Sequence, residues 1–196
     1  MKILTVITFC LIVVTSSAQD LKGKWFLTKE GDTYIVPENL IMEVKKDSIK
    51  YYSFDQFVFT QSAKIEEKKI KFENGDIRDF EFINQNSFKF ISQKDKDSTN
   101  FEYVRLIPTK TNLQKEEIEN LSFEFNWNGE KIKIKFKQEK GFEEISLEKI
   151  DSTYFASFYL LGKRAEVLPI KEITLDKMIL YGTPGKPYEI VGEKIE

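Results

Sequence analysis

Apolar and polar residues alternate with a period of two through most of the chain, and this pattern limits the fold more than any other feature. Between residues 131 and 137, Ile132, Ile134 and Phe136 alternate with lysines. Successive side chains of a β-strand point to opposite faces, so each such run predicts a strand with one buried face and one polar face. The lysine face is interpreted as a solvated face or an edge strand and not as a binding patch, because edge lysines block unwanted strand pairing.

Short polar segments with turn-forming residues separate these runs. Residues 73–76 and 84–86 contain Asn, Asp and Gly, and Asn128-Gly129 is a pair typical of two-residue hairpin turns. Strands that recur about every ten residues with hairpin turns favour an antiparallel meander over βαβ units. The sequence therefore predicts an all-β fold in which an antiparallel meander forms one or two small barrel-like modules, with one short helix between them.

The helix is expected where the alternation stops. Asn112 is a candidate N-cap followed by acidic residues, so residues 112–120 predict a short surface helix, and Pro108 interrupts strand pairing just before it. A single larger barrel with a helical insertion is the alternative. The preferred division of the chain is a signal peptide at 1–18, a β module at 19–108, a helical linker at 109–120 and a second β module at 121–196.

The first 18 residues have the order of a secretory signal peptide. Lys2 precedes an apolar run from Ile3 to Val14, and Ser16 and Ala18 place small side chains before Gln19. This run of 12 residues is too short to cross a bilayer as a helix, which takes about 20. We therefore expect cleavage between Ala18 and Gln19, a periplasmic or extracellular mature chain, and no transmembrane segment in it.

The single cysteine, Cys10, lies inside the apolar run. Lipid attachment needs a small residue just before the cysteine, whereas Phe9 stands there, so a lipoprotein is the weaker alternative. Cleavage after Ala18 would remove Cys10 and leave a mature chain without any thiol. Such a chain can form no disulfide, thiolate nucleophile or thiolate metal site.

The chain contains no histidine, which removes the commonest general base and the imidazole ligands of zinc and copper. Catalysis would have to rely on carboxylates, lysine or tyrosine. The acid pairs Glu116-Glu117 and Glu143-Glu144 are interpreted as solvated charge. We therefore expect no catalytic residue and no cofactor, and a carboxylate-based hydrolase is the weakest of the functional hypotheses.

Charge and loop composition argue against two further kinds of partner. Asp95 and Asp97 alternate like the start of a calcium loop, but the central glycine is missing, so a polar turn is preferred and no metal is expected. Signal cleavage removes one of the 30 basic residues and none of the 32 acidic ones. Both signs are mixed along the chain without a basic stripe, so no nucleic-acid partner is expected.

One motif near the start of the mature chain carries a resemblance. Gly23 and Trp25 form a Gly-x-Trp pattern, and Arg105 lies late in the same half of the chain. In these residues the chain resembles the bacterial lipocalin-like proteins of the calycin group, over residues 20–108. The resemblance implies a closed barrel in which Arg105 lies over the Trp25 ring as a cation–π contact, within about 6 Å.

The resemblance also implies a function. The first hypothesis is an exported, non-enzymatic binding protein for a small apolar ligand. The alternative is a structural or interaction protein of the cell envelope with no small-molecule ligand, because the abundant phenylalanines could fill a small barrel. An open apolar cavity would favour the first hypothesis, and a filled barrel with an exposed aromatic patch would favour the second.

Overall fold

The structure is a computed structural model that describes residues 20–31, 33–34, 40–91, 100–137, 143–183 and 189–196. The predicted signal peptide and cleavage site, Cys10, and the turn predicted at Asp95 and Asp97 lie outside these residues. Strands account for 69% of the described residues and helix for 3%. The predicted fold class, antiparallel β-structure with one short helix, is confirmed.

The first sheet is built from nine consecutive antiparallel strands: β1 (Gly23–Glu30), β2 (Thr33–Tyr34), β3 (Leu40–Val44), β4 (Ser48–Ser53), β5 (Gln56–Glu66), β6 (Lys69–Phe72), β7 (Ile77–Asn84), β8 (Ser87–Ile91) and β9 (Asn100–Arg105). Strand β1 pairs with β3 on one side and with β9 on the other, which closes eight of these strands into a barrel. The short strand β2 pairs only with the end of β1 in the described part of the chain. We call this sheet the closed barrel.

The second sheet is built from seven antiparallel strands: β10 (Ser122–Trp127), β11 (Glu130–Lys135), β12 (Glu143–Ile150), β13 (Thr153–Leu160), β14 (Lys163–Ile173), β15 (Lys177–Tyr181) and β16 (Glu189–Ile195). Strand β16 pairs between β10 and β15, so β11 and β12 become the two edges. The edges approach each other near the end of β11, where the Lys137 N–H donates to the Ile145 carbonyl at 3.1 Å. This sheet curls without closing, and we call it the half-barrel.

The alternation in sequence becomes the two faces of these strands. In β6, Ile70 and Phe72 are buried between exposed lysines. In β11, Ile134 is buried, whereas the intervening lysines are exposed. Strand β11 lies at an edge of its sheet, as its lysine face predicted.

The helix is shorter than the sequence predicted. Helix α1 (Lys115–Glu119) follows Gln114, whose N–H donates to the Glu117 carboxylate at 2.7 Å. The prediction of Asn112 as the N-cap is therefore wrong. The N-cap is Gln114, and the Glu117 side chain reaches back to its backbone N–H, as in a capping box. Ile118 is completely buried in the core of the half-barrel, whereas Lys115, Glu116 and Glu117 are exposed, so α1 lies at the surface and packs one apolar side chain inward. No helix among the described residues is both long and apolar enough to cross a membrane.

The two sheets pack against each other through the outer faces of their strands. We call this contact the module interface, and its buried residues are Phe26, Ile41, Phe54, Val104, Phe155, Val167 and Tyr181. The segment that follows β9 also forms hydrogen bonds with the half-barrel. The Ile107 N–H donates to the Tyr181 hydroxyl at 3.1 Å, and the Thr153 hydroxyl donates to the Ile107 carbonyl at 2.6 Å. The sheets are therefore held together by a buried apolar cluster and by hydrogen bonds from the connection.

Candidate functional site

The three residues of the Gly-x-Trp resemblance meet where β1 and β9 close the barrel. Trp25 lies opposite Arg105 in the strand register, and the guanidinium carbon is 4.1 Å from the centroid of the indole. The expected cation–π contact is therefore present. The indole is completely buried, and its Nε1–H donates to the Leu21 carbonyl at 2.7 Å.

Arg105 also holds the chain segment before β1. Its guanidinium donates to the Lys22 carbonyl at 2.6 Å and to the Asp20 carbonyl. A Cβ atom at Gly23 would lie 3.0 Å from Arg105 Nη1, and Gly23 has a φ of +119°, which L residues rarely adopt. The motif is thus a closure of the barrel end in which glycine makes room for the guanidinium.

Aromatic side chains fill the interior of the closed barrel. Phe88 contacts Trp25 edge to face with ring centroids 4.6 Å apart, and it stacks on Tyr103 at 5.2 Å. Phe90 stacks on the same tyrosine at 5.3 Å. All four side chains are buried. The protein's own rings therefore occupy the space in which a lipocalin-like barrel would hold a ligand.

The half-barrel has an open cleft where its two edge strands diverge. The cleft has a volume of about 610 Å³, inside the range of about 300–1,000 Å³ that is typical of small-molecule sites. Apolar side chains from three strands line it: Ile132 of β11, Ile145 of β12, and Phe158 and Leu160 of β13. Lys133, Lys135, Glu144 and Glu196 add polar groups to its lining.

A second, smaller cavity of about 50 Å³ lies beside the cleft and shares Ile132 and Phe158 with it. We call it the inner cavity. Its remaining lining is Phe125, Trp127, Ile134, Glu166, Leu168 and Leu180. The half-barrel therefore offers a wide apolar cleft and, next to it, a narrow space with one carboxylate.

Glu166 is a candidate site residue that the sequence analysis missed. It lies opposite Phe158 in the strand register and two positions before the buried Leu168, so the period of two places it on the apolar face of β14. Its carboxylate has no hydrogen-bond or ion-pair partner among the described residues. Burial raises the pKa of Glu166 above its usual value. The signal in the sequence was an acid at an apolar position of a strand.

The arginine two residues earlier is occupied elsewhere. Arg164 forms a bidentate ion pair with Glu148, with Nη2–Oε1 and Nε–Oε2 distances of 2.8 and 3.1 Å, and its guanidinium lies 4.1 Å from the Phe54 ring centroid. The Tyr159 hydroxyl donates to the same carboxylate at 3.0 Å. Burial acts to raise the pKa of Glu148, but hydrogen bonds and the charge of Arg164 outweigh it and lower the pKa. This cluster ties the half-barrel to the closed barrel.

The acid pairs considered in the sequence lie apart from the inner cavity. Glu117 accepts the hydrogen bond from the Gln114 N–H at the start of α1. Glu144 lines the cleft and accepts a hydrogen bond from the Ser146 hydroxyl at 2.6 Å. The side chain of Glu143 lies outside the described residues. No pair of these acids converges in the inner cavity, whose described lining contains Glu166 as its single acid.

The closed barrel carries an exposed apolar run on β5. Phe57 is 58% exposed, and Val58 and Phe59 are also exposed. Phe59 stacks on Tyr51 with ring centroids 4.6 Å apart, and Phe57 meets the Tyr52 ring at 6.0 Å. We call Phe57, Val58 and Phe59 the β5 patch. Contiguous exposed apolar surface of this kind is typical of contact sites.

Comparison with known proteins adds no family to this geometry. No protein-family model matches the chain, and no curated protein matches it in sequence. The functional argument therefore depends on the cleft, the inner cavity and the β5 patch.

Proposed function

We propose that the protein is an exported, non-enzymatic binding protein that holds a small apolar ligand in the cleft of the half-barrel. The observation that carries this proposal is the apolar cleft of about 610 Å³ at the unclosed seam between β11 and β12. The closed barrel is a poorer candidate, because aromatic rings from Trp25, Phe88 and Tyr103 pack against one another inside it.

The chemistry of the cleft supports an apolar ligand. Ile132, Ile145, Phe158 and Leu160 offer hydrocarbon and aromatic surface, and burial of apolar ligand area contributes about 25 cal/mol per Å². Lysine and glutamate side chains in the lining add polar groups beside this surface. An apolar concave surface with a few polar groups is the usual composition of a small-molecule site.

Titration with Nile red, an uncharged fluorescent probe, tests the proposal. Leu160 lines the cleft and is 49% exposed, so Leu160→Glu places a charge in the site at an already accessible position. We expect saturable binding to the wild type and at least about a tenfold rise in Kd for Leu160→Glu, which corresponds to ~1.4 kcal/mol.

Leu175→Glu is the matched control, because Leu175 is 56% exposed and does not line the cleft. It should bind Nile red like the wild type. Absence of saturable binding to the wild type, or equal affinity in the wild type and Leu160→Glu, would overturn the proposed site. Intact mass of the exported protein tests the localisation, since a chain that begins at Gln19 is expected and a lipid-modified Cys10 would contradict it.

The second candidate function is that of an interaction protein of the cell envelope. The observation that favours it is the β5 patch, in which Phe57 and Phe59 present aromatic rings to solvent beside a filled barrel. Co-sedimentation with envelope fractions tests it. Phe57→Lys/Phe59→Lys should abolish co-sedimentation, whereas Leu160→Glu should not. Equal co-sedimentation of the wild type and the double variant would exclude the patch.

A further inference from the structure

The inner cavity holds one carboxylate in otherwise apolar surroundings. Of its eight lining residues, Glu166 is the single ionisable one, and Phe158 lies directly opposite it in the strand register. Leu168, on the same face of β14, is buried in the core of the half-barrel. Glu166 itself is half-buried, so its carboxylate lies among the apolar side chains of the inner cavity while part of it remains accessible to solvent.

The protein supplies no cation to this carboxylate in the part of the chain that the structure describes. Arg164, the nearest arginine along β14, donates two hydrogen bonds to Glu148. Lys131 and Lys133 of β11 form ion pairs with Glu124. Arg164 on β14 and Lys131 and Lys133 on β11 thus have other acidic partners.

An unpaired carboxylate in apolar surroundings costs free energy, because it loses hydration without gaining a partner. Burial raises the pKa of Glu166, as this loss requires. A ligand cation placed against the carboxylate would offset the cost, and charge-assisted hydrogen bonds are about twice as strong as neutral ones. The site therefore discriminates by charge at its inner end.

The two adjoining volumes define the shape of such a ligand. The inner cavity, at about 50 Å³, has room for a small polar head, whereas the cleft of about 610 Å³ has room for an apolar body. Ile132 and Phe158 line both spaces, so one molecule can extend from one to the other. We infer that the half-barrel binds apolar amines, with the ammonium group against Glu166 and the hydrocarbon in the cleft; this inference rests on the proposed function.

Displacement of Nile red by octylamine, octanol and octanoate tests the inference. These three compounds share a chain length and differ in the charge of the head. For the wild type, we expect octylamine to displace the probe at a concentration at least about tenfold lower than octanol, and octanoate to be the weakest. Glu166→Gln keeps the size of the side chain and removes the charge. In this variant, octylamine and octanol should displace Nile red at equivalent concentrations.

Glu130→Gln is the matched control, because Glu130 is exposed on β11 and lines neither the cleft nor the inner cavity. It should keep the preference for octylamine. Loss of the preference in this control, or its persistence in Glu166→Gln, would overturn the role of Glu166. Equal displacement by octylamine and octanol in the wild type would overturn the inference and leave the proposed function intact, whereas failure of Nile red itself to bind would overturn the proposed function.

Discussion

The closed barrel and the half-barrel are built from similar alternating strands, yet they end in different states. In the closed barrel, β1 pairs with both β3 and β9, and every strand from β3 to β8 has two neighbours. In the half-barrel, β11 and β12 remain as edges that meet near Lys137 and Ile145. The closed sheet buries its aromatic rings against one another, whereas the open sheet keeps a cleft beside its core. Closure thus decides which sheet retains space for a ligand.

One tryptophan in each sheet expresses the same difference. Trp25, on the first strand of the closed barrel, is completely buried under the Arg105 guanidinium. Trp127, at the end of the first strand of the half-barrel, is partly buried and lines the inner cavity. Tryptophan is thus a fully packed core residue in the closed barrel and a cavity-lining residue in the half-barrel.

Replacement of these tryptophans by alanine should give the largest difference between the sheets. Trp25→Ala removes a fully packed ring, so the free energy of unfolding should fall by about 3–5 kcal/mol. Trp127→Ala should cost less, because the ring already borders a cavity. Urea denaturation of both variants measures the difference, and equal losses would contradict the contrast in packing.

The two glutamates of the half-barrel should affect stability with opposite signs. The pKa of Glu148 is lowered, so its stabilisation is present above the unfolded pKa and is lost as the pH falls through the folded pKa. Burial raises the pKa of Glu166, so its ionised form destabilises the fold at neutral pH, and this penalty is lost as the pH falls through the folded pKa to the unfolded pKa.

At pH 7, Glu148→Gln should therefore lower the free energy of unfolding by about 1–2 kcal/mol. Glu166→Gln should raise it by about 1 kcal/mol. Thermal unfolding of both variants between pH 4 and pH 8 checks these signs. A destabilised Glu166→Gln protein at pH 7 would mean that the carboxylate has a partner.

The smallest expected effect concerns the cation–π contacts, in which the sheets are alike. Arg105 over Trp25 and Arg164 over Phe54 both have distances of 4.1 Å. A double-mutant cycle with Arg105→Ala and Trp25→Phe should give a coupling energy of at least about 0.5 kcal/mol. A cycle with Arg164→Ala and Phe54→Leu should be similar. Additive losses in either cycle would show that packing alone acts there.

Local pattern was sufficient for much of the fold. The alternation at Ile132 and Ile134 predicted the buried face of β11, and its lysines predicted an edge. The contact between Trp25 and Arg105 was expected from the resemblance, and the structure contains it. These features depend on neighbouring residues within one strand or on a motif of a few residues, and both kinds of pattern can be recognised in the sequence.

Other features depend on long-range order, which alternation does not encode. Strand β16 lies between β10 and β15 because of pairing across the sheet. The pattern of residues 189–195 does not specify which strands it pairs with. Helix α1 was expected at residues 112–120 with Asn112 as its N-cap, yet it covers only Lys115–Glu119, because Gln114 and Glu117 form the cap. Glu166 escaped notice because its unpaired state is visible only when Phe158 and the facing strands are in place.

The sheet order also sets when each half of the chain is able to fold during synthesis. The closed barrel is complete once β9 ends at Arg105, but β10 must wait for β16, which ends at Ile195. At about 5–20 residues per second, the intervening 90 residues take roughly 5–18 s. During that interval Phe26, Ile41 and Val104 lack the half-barrel surface that covers them in the final fold. The nascent closed barrel therefore passes through a period in which its outer face exposes apolar side chains that can associate with other chains.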